Sequence, residues 1–268
     1  MNVDHVIVAG VELESMRVAF TAAGLPAAFG GVHAHGTTHM AIVPFADGSY
    51  FELLAPVRPD VTPVRWREHL AAGIGPCGWA VRVDDLAAET RRLQSAGVPV
   101  DAPMQLGRQR PDGCRAEWKV AFVGHQPLRS VLPFLIEDTT DRERRVHPGG
   151  MTPAQVIPRR ISFVVLGVRS IADSVALFRR TYGWPSPRLV EDEFLDATLA
   201  AFDGSPVVLA QGRRGSWLEQ RTVRHGETPC AVGIGRLDES AIWGRHSMRW
   251  EQVGGTLLAF CGGVGEPC

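Results

Sequence analysis

The chain has 268 residues, 45% hydrophobic and 21% charged, with 28 basic and 29 acidic side chains and a formal net charge of −1. That balance leaves no electrostatic footprint for nucleic acid, and no block of like charge marks a tail or a membrane patch. No apolar run approaches the ~18 residues of a membrane span, "MNVDHVIVAG" lacks a secretory pattern, and five scattered cysteines without a CxxC pair fit a reducing cytoplasm rather than a disulfide or zinc-finger framework.

"HVIVAGV" (5–11) reads as a strand. "LESMRVAFTAAGL" (13–25) reads as an amphipathic helix, with Leu13, Met16, Phe20 and Ala23 at helical spacing and a glycine near its end. "PAAFGGVHAHGTTHMAIVPF" reads as two strands meeting at Gly36. "ADGSY" is a turn with Asp-Gly at its centre, and "YFELLAPV" (50–57) is a strand closed by proline. The order is strand, helix, strand, strand, strand.

The same order recurs. "GWAVRVDDL" and "AAETRRLQSAGVPV" form a second strand and helix, followed by strands in "CRAEWKVAFVG" and "SVLPFLIEDTT". A third unit opens at "RRISFVVLGVRS" and "IADSVALFRRTYGW", and continues through "LDATLAAFDG" and "SPVVLAQG". "CAVGIGRLDESAIW" opens a fourth, degenerate unit ending in "GGTLLAFCGG". The Pro-, Gly- and Arg-rich stretch at 144–160 is the expected seam. It divides an N-terminal pair of units (1–148) from a more divergent C-terminal pair (158–268), with a linker at 149–157.

A single βαβββ unit cannot bury its sheet alone; pairing two completes a curved sheet around an apolar cavity. The expected fold is α+β, with tandem βαβββ modules forming cup-like mixed sheets. This pattern resembles the vicinal oxygen chelate superfamily of glyoxalases, extradiol dioxygenases and bleomycin-resistance proteins. "DHVIV", "GGVHAHGTTHMAIVPFADGSYFELLAP" and "DGCRAEWKVAF…LPFLIE…HPGG" are similar to the glyoxalase-like domain family over about residues 3–150.

The resemblance implies a cavity and, in metal-using members, ligands from the first and last strands of each unit. Those positions here are His5 and Glu52, an imidazole and a carboxylate suited to Zn, Fe, Mn or Ni. A glutamate inside "YFELLA" needs a cation, a metal or N–H donors if it is buried; otherwise it faces solvent or pairs with an arginine. The matching positions of the second unit are Gly78 and Phe134, which ligate nothing. If the odd-numbered residues after His39 face the cavity, His39 becomes a third ligand or a cavity-lining polar group, where the family commonly has asparagine; otherwise it is an ordinary hairpin histidine. His33, in the shared "GGxH", is a candidate substrate contact or proton carrier, or a hairpin histidine bonded to a carbonyl. Gly30 and Gly31 provide the bend before it, and His35 is expected to be exposed. Thr37 offers a hydroxyl. Trp118 is expected as a pocket wall, with Lys119 or Arg115 gripping an anionic group, or as an ordinary half-buried aromatic beside a solvated cation. Trp79 is core or pocket wall, and His147-Pro148 is structural. No GxSxG elbow, P-loop or dinucleotide fingerprint is present, and "GGVGEP" is a loop.

Two functional classes remain open. One is a lyase, isomerase or dioxygenase on a small oxygenated organic molecule, metal-assisted or working by acid–base groups such as Glu52 and His33. The other is a metal-free binding protein of the bleomycin-resistance kind. A small-molecule ligand, a cytoplasmic location and a homodimer are expected; no nucleic acid or membrane partner is.

Overall fold

The computed structural model describes residues 1–61, 67–124, 131–147, 159–236 and 248–261. The expected linker at 149–157, the "LDESAIW" of the fourth unit and the terminal "GGVGEP" lie outside them.

The first module runs β1 (Asn2–Ala9), α1 (Leu13–Ala22), β2 (Ala28–His33), β3 (Thr38–Pro44) and β4 (Tyr50–Pro56). After α2 (Arg67–Ala72) come β5 (Gly75–Arg82), α3 (Leu86–Ser95), β6 (Met104–Gln109), β7 (Arg115–Ala121) and β8 (Phe134–Asp138), then the short α4 (Arg142–Arg145). The third module is β9 (Arg159–Gly167), α5 (Ile171–Tyr182), β10 (Arg188–Asp192), β11 (Ala197–Ala201) and β12 (Val207–Gly212). It is followed by α6 (Trp217–His225), β13 (Pro229–Arg236), β14 (Met248–Val253) and β15 (Thr256–Cys261). The helices start where the chain offers caps: Asp85, Ser170 and Ser216 each accept from a backbone N–H three residues on. α1 buries Leu13, Met16 and Phe20, one apolar stripe laid against the barrel.

Strands β1 to β8 close a barrel in the order β1-β4-β3-β2-β6-β7-β8-β5. Each module supplies four strands. The halves join along antiparallel β1 and β5, and again where Val32 and His33 of β2 pair with Gln109 and Arg108 of β6. The other strands form a seven-stranded sheet, β10-β11-β12-β9-β13-β15-β14, in which β9 and β13 repeat the β1–β5 pairing. Packing between the two lobes is continuous: one apolar core holds Phe20, Phe51 and Trp79 together with Phe178, Phe202 and Leu209. Among the described residues no helix is long and apolar enough to cross a membrane.

Strand alternation sorts the barrel residues into two faces. Ala41, Val43, Leu53 and Ala55 belong to the core packed with α1. Thr38, Glu52 and Leu54 line the interior cavity. His39 pairs with Ala55 across the β3–β4 ladder, so it shares the outward face. The expectation that His39 and the odd-numbered apolar residues after it face the cavity is therefore corrected. Those apolar side chains are buried against a helix, not a ligand.

Register also identifies what the second lobe lacks. In β1 and β4, Ile7 pairs with Glu52, and His5 lies two residues before Ile7. In β9 and β12 the corresponding pair is Val165 with Val208, and Phe163 lies two residues before Val165. Phe163, Val165 and Val208 belong to the apolar inner face of that sheet.

The second joint of the barrel depends on Gly31. Its φ is +111°, and a Cβ there would stand 2.6 Å from the Gln109 carbonyl oxygen. Gly31→Ala is expected to destabilise the fold by ~1–3 kcal/mol, because strain and a backbone clash meet at one site. Denaturant unfolding checks this: an unchanged midpoint would show that β2 and β6 do not need the bend.

Candidate functional site

The barrel encloses a cavity of about 620 Å³. Its apolar wall includes Met104, Leu106, Trp118, Phe122 and Phe134, mostly from the second module. Its polar floor comes from the first: His5 on β1, His33 on β2, Thr38 on β3, Tyr50 and Glu52 on β4.

Glu52 is the centre of that floor. Its Oε2 lies 3.4 Å from His5 Nε2 and its Oε1 lies 3.4 Å from His33 Nε2. Burial pulls the carboxyl pKa upward. The hydrogen bond and charge of His33, with the charges of His5 and Arg108, outweigh burial and hold it down to about 2. Glu52 is therefore an anion at neutral pH although it is only 7% exposed.

Both imidazoles are held from behind. His5 Nδ1 donates to Asp4 Oδ1 at 2.7 Å, and the His5 ring stacks on Tyr50 with centroids 4.6 Å apart. A 2.8 Å hydrogen bond joins His33 Nδ1 to Thr38 Oγ1. Asp4 is in turn gripped by Arg145, whose Nη1 and Nη2 donate to its two oxygens at 2.8 and 3.0 Å, and by Arg142 Nη1 at 2.6 Å. Burial would raise the Asp4 pKa; the Arg145 charge and the bonds from His5 and Arg145 hold it well below the carboxylate range. Arg145 also binds Asp138 and the Tyr50 hydroxyl. The short helix α4 thus delivers a cation to the back of the His5 strand.

His5, His33 and Glu52 stand together in the cavity, and Trp118 lines it with them. Other expected site residues stand elsewhere. His39 is on the outer face, its ring 6.2 Å from that of Phe29. Thr37 stays in the β2–β3 hairpin, where its N–H and hydroxyl engage His35 Nδ1; the hydroxyl that reaches the site belongs to Thr38. Lys119 points away from the cavity, with Nζ 3.9 Å from Glu137. Arg115 lies at the cavity edge but is paired with Glu117 at 2.7 Å. His35 is exposed and stacks on His33 at the mouth. Sequence reasoning missed Asp4, Tyr50, Arg108 and Arg145. Asp4 carried the one usable signal, a carboxylate directly before His5.

The superfamily resemblance implies a divalent metal. The donor set for it is incomplete: Gly78 and Phe134 hold the second module's positions, and the Phe134 ring packs edge-on against His5 at 5.3 Å. Among the described residues, no group of three or more histidine, cysteine, aspartate or glutamate side chains is arranged to hold a metal ion. The residues do not fit the expected four-ligand centre, nor the set of His5, His39 and Glu52.

The family model described as a glyoxalase-like domain matches residues 3–169. No curated protein matches the sequence. A hypothetical protein from Staphylococcus aureus has a similar solved structure, with a TM-score of 0.68 and 15% identity over 97% of this chain and 98% of its own. A mutant 4-hydroxymandelate synthase from Streptomyces coelicolor matches with a TM-score of 0.55 and 13% identity, over 87% of this chain and 70% of its own. These two likenesses concern the fold.

The site makes folding sensitive to acid. The Glu52 pKa is about 2 in the folded chain against an ordinary 4.5. Ionised Glu52 therefore stabilises the fold fully above about pH 4.5, and that contribution is lost as pH falls towards 2. Asp4, also depressed, adds a dependence of the same sign. Urea unfolding of the Glu52→Gln variant is expected to show a shallower loss of stability in acid than the parent; parallel curves would contradict the buried anion.

Proposed function

The chain belongs to the glyoxalase-like domain family, and from that premise we propose that it is a lyase or isomerase that moves a proton on a small oxygenated organic molecule bound in the first-lobe cavity. One observation carries this reading: an ionised, buried Glu52 between the Nε2 atoms of His5 and His33, in the wall of an apolar cavity.

Both contacts are 3.4 Å, longer than the roughly 2.7–3.2 Å of a good hydrogen bond. A bound substrate can displace such loose contacts. Burial alone raises the proton affinity of Glu52, and the imidazoles oppose it. A substrate that parts them from the carboxylate makes Glu52 a stronger base at the moment of binding. Glu52 then takes a proton from the carbon beside a carbonyl, and the electron pair moves onto the carbonyl oxygen. His33, oriented by Thr38, supplies or receives a proton at that oxygen. Return of the proton from Glu52 to another carbon gives an isomerase; loss of a leaving group gives a lyase. Asp4 and Arg145 act through His5 as positioning residues. Since the donor set does not fit a resident metal, no step runs through one.

A second reading, a metal-free binding protein of the bleomycin-resistance kind, is favoured by the ligand-free residues Gly78 and Phe134. It uses the same cavity without proton transfer.

Incubation with small 2-oxo and 2-hydroxy compounds in D₂O, followed by proton NMR, separates the two. The parent is expected to exchange a carbon-bound hydrogen, and Glu52→Gln and His33→Gln are each expected to slow this by ~10²–10⁴-fold. Ligand-induced thermal stabilisation without exchange would leave the binding reading. Elemental analysis after soaking in Fe, Mn, Ni or Zn salts and desalting is expected to give well below one equivalent per chain. One equivalent, abolished by Glu52→Ala, would overturn the metal-free step.

A further inference from the structure

Arg108 is a buried cation that makes no hydrogen bond or ion pair to Glu52, His5 or His33. It sits on β6 opposite His33, at the joint where the barrel closes, and is 3% exposed. Its Nε donates to the Gly30 carbonyl at 3.0 Å and its Nη2 to the Arg145 carbonyl. Both acceptors are neutral. No carboxylate of the described residues forms an ion pair with it, and Nη1 has no protein partner among them. Arg145, equally buried, differs sharply: it holds the carboxylates of Asp4 and Asp138. Taking a guanidinium out of water without a carboxylate in contact costs several kcal/mol. That cost is offset when a ligand brings the negative charge.

Around Arg108 the cavity has a definite character. The Trp118 ring lies 5.8 Å from the guanidinium carbon, and Phe122, Phe134, Met104 and Leu106 continue an apolar wall. Glu52 shares the cavity, near enough for its charge to act on Arg108. An anionic substrate approaching Glu52 alone would be repelled. Arg108 supplies the attraction that lets an anion share a cavity with a buried carboxylate, and its planar fork suits a carboxylate better than a point charge would.

We propose that Arg108 is the carboxylate-binding residue of this cavity, and that the substrate is a small oxygenated organic acid with an apolar body. The recognition rests on Arg108. Only the oxygenated, proton-transferring part of the description rests on the function proposed above.

Calorimetric titration with 3-phenyllactate and with its amide tests the recognition. The acid is expected to bind at least ~10-fold tighter than the amide, as a charge-assisted pair adds about 1.4 kcal/mol or more. Glu52→Gln should keep or sharpen that preference, because it removes a like charge. Arg108→Gln should bind acid and amide within about threefold of each other, with circular dichroism confirming that it is folded; Arg108→Lys should retain part of the preference. If Arg108→Gln does not fold, Arg108→Lys and the parent carry the test. Equal affinities in the parent, failure of both compounds to bind at millimolar concentration, or a preference that survives in Arg108→Gln or is undiminished in Arg108→Lys would each overturn the proposal. An acid preference without Glu52-dependent hydrogen exchange would leave Arg108 in place and sink the proposed reaction. Glu52-dependent exchange without an acid preference would do the reverse.

Discussion

Two carboxylates, Asp4 and Glu52, must remain ionised inside a barrel whose core is largely apolar, and much of the site follows from how they are held. A buried anion is tolerated only with cations and donors placed around it. Arg145 and Arg142 reach Asp4 from α4; Asp4 holds His5; His5 and His33 flank Glu52; Thr38 holds His33. Each link fixes the rotamer of the next, so the imidazoles arrive at the cavity already aimed. The arrangement also explains why a four-residue helix at the end of the second module is tied to a strand at the start of the first.

Within the barrel the two modules divide the work. The first supplies the groups that hold or move a proton: His5, His33 and Glu52. The second supplies the aromatic wall and the cation Arg108. Neither half would form the cavity alone, since the joints at β1–β5 and β2–β6 create it. The C-terminal lobe repeats the strand order and the β9–β12 register, yet presents Phe163 and Val208 where the first lobe presents His5 and Glu52. The same backbone therefore carries a reactive floor in one lobe and a packed apolar face in the other.

Most of the strands were legible before any coordinates, because alternating apolar residues bounded by Gly and Pro are a local signal. β6 was not, although it carries Arg108: "MQLGRQ" has a glycine and exposed side chains and lacks a β-branched run. α4 was missed because four charged residues carry no periodicity, and only the buried Asp4 and the half-buried Asp138 make sense of two of its arginines. The error at His39 was one of parity. Alternation correctly grouped His39 with Ala41 and Val43, but an apolar face against a helix and an apolar face against a cavity look the same in sequence. A shift of one residue makes Thr38 the cavity hydroxyl in place of Thr37.

By itself, the sequence determined the βαβββ rhythm, its repetition, the family resemblance, and the candidacy of His5, His33 and Glu52 beside the missing ligands at Gly78 and Phe134. These depend on residue type and near-neighbour spacing, which a linear chain displays directly. The tertiary structure alone decided which face of each strand looks inward, that Asp4 and Arg145 lock His5 across 141 positions of chain, and that Arg108 stands in the cavity with no carboxylate paired to it among the described residues. Those are contacts between residues far apart in sequence, and their electrostatic meaning comes from burial, which appears only when the barrel closes.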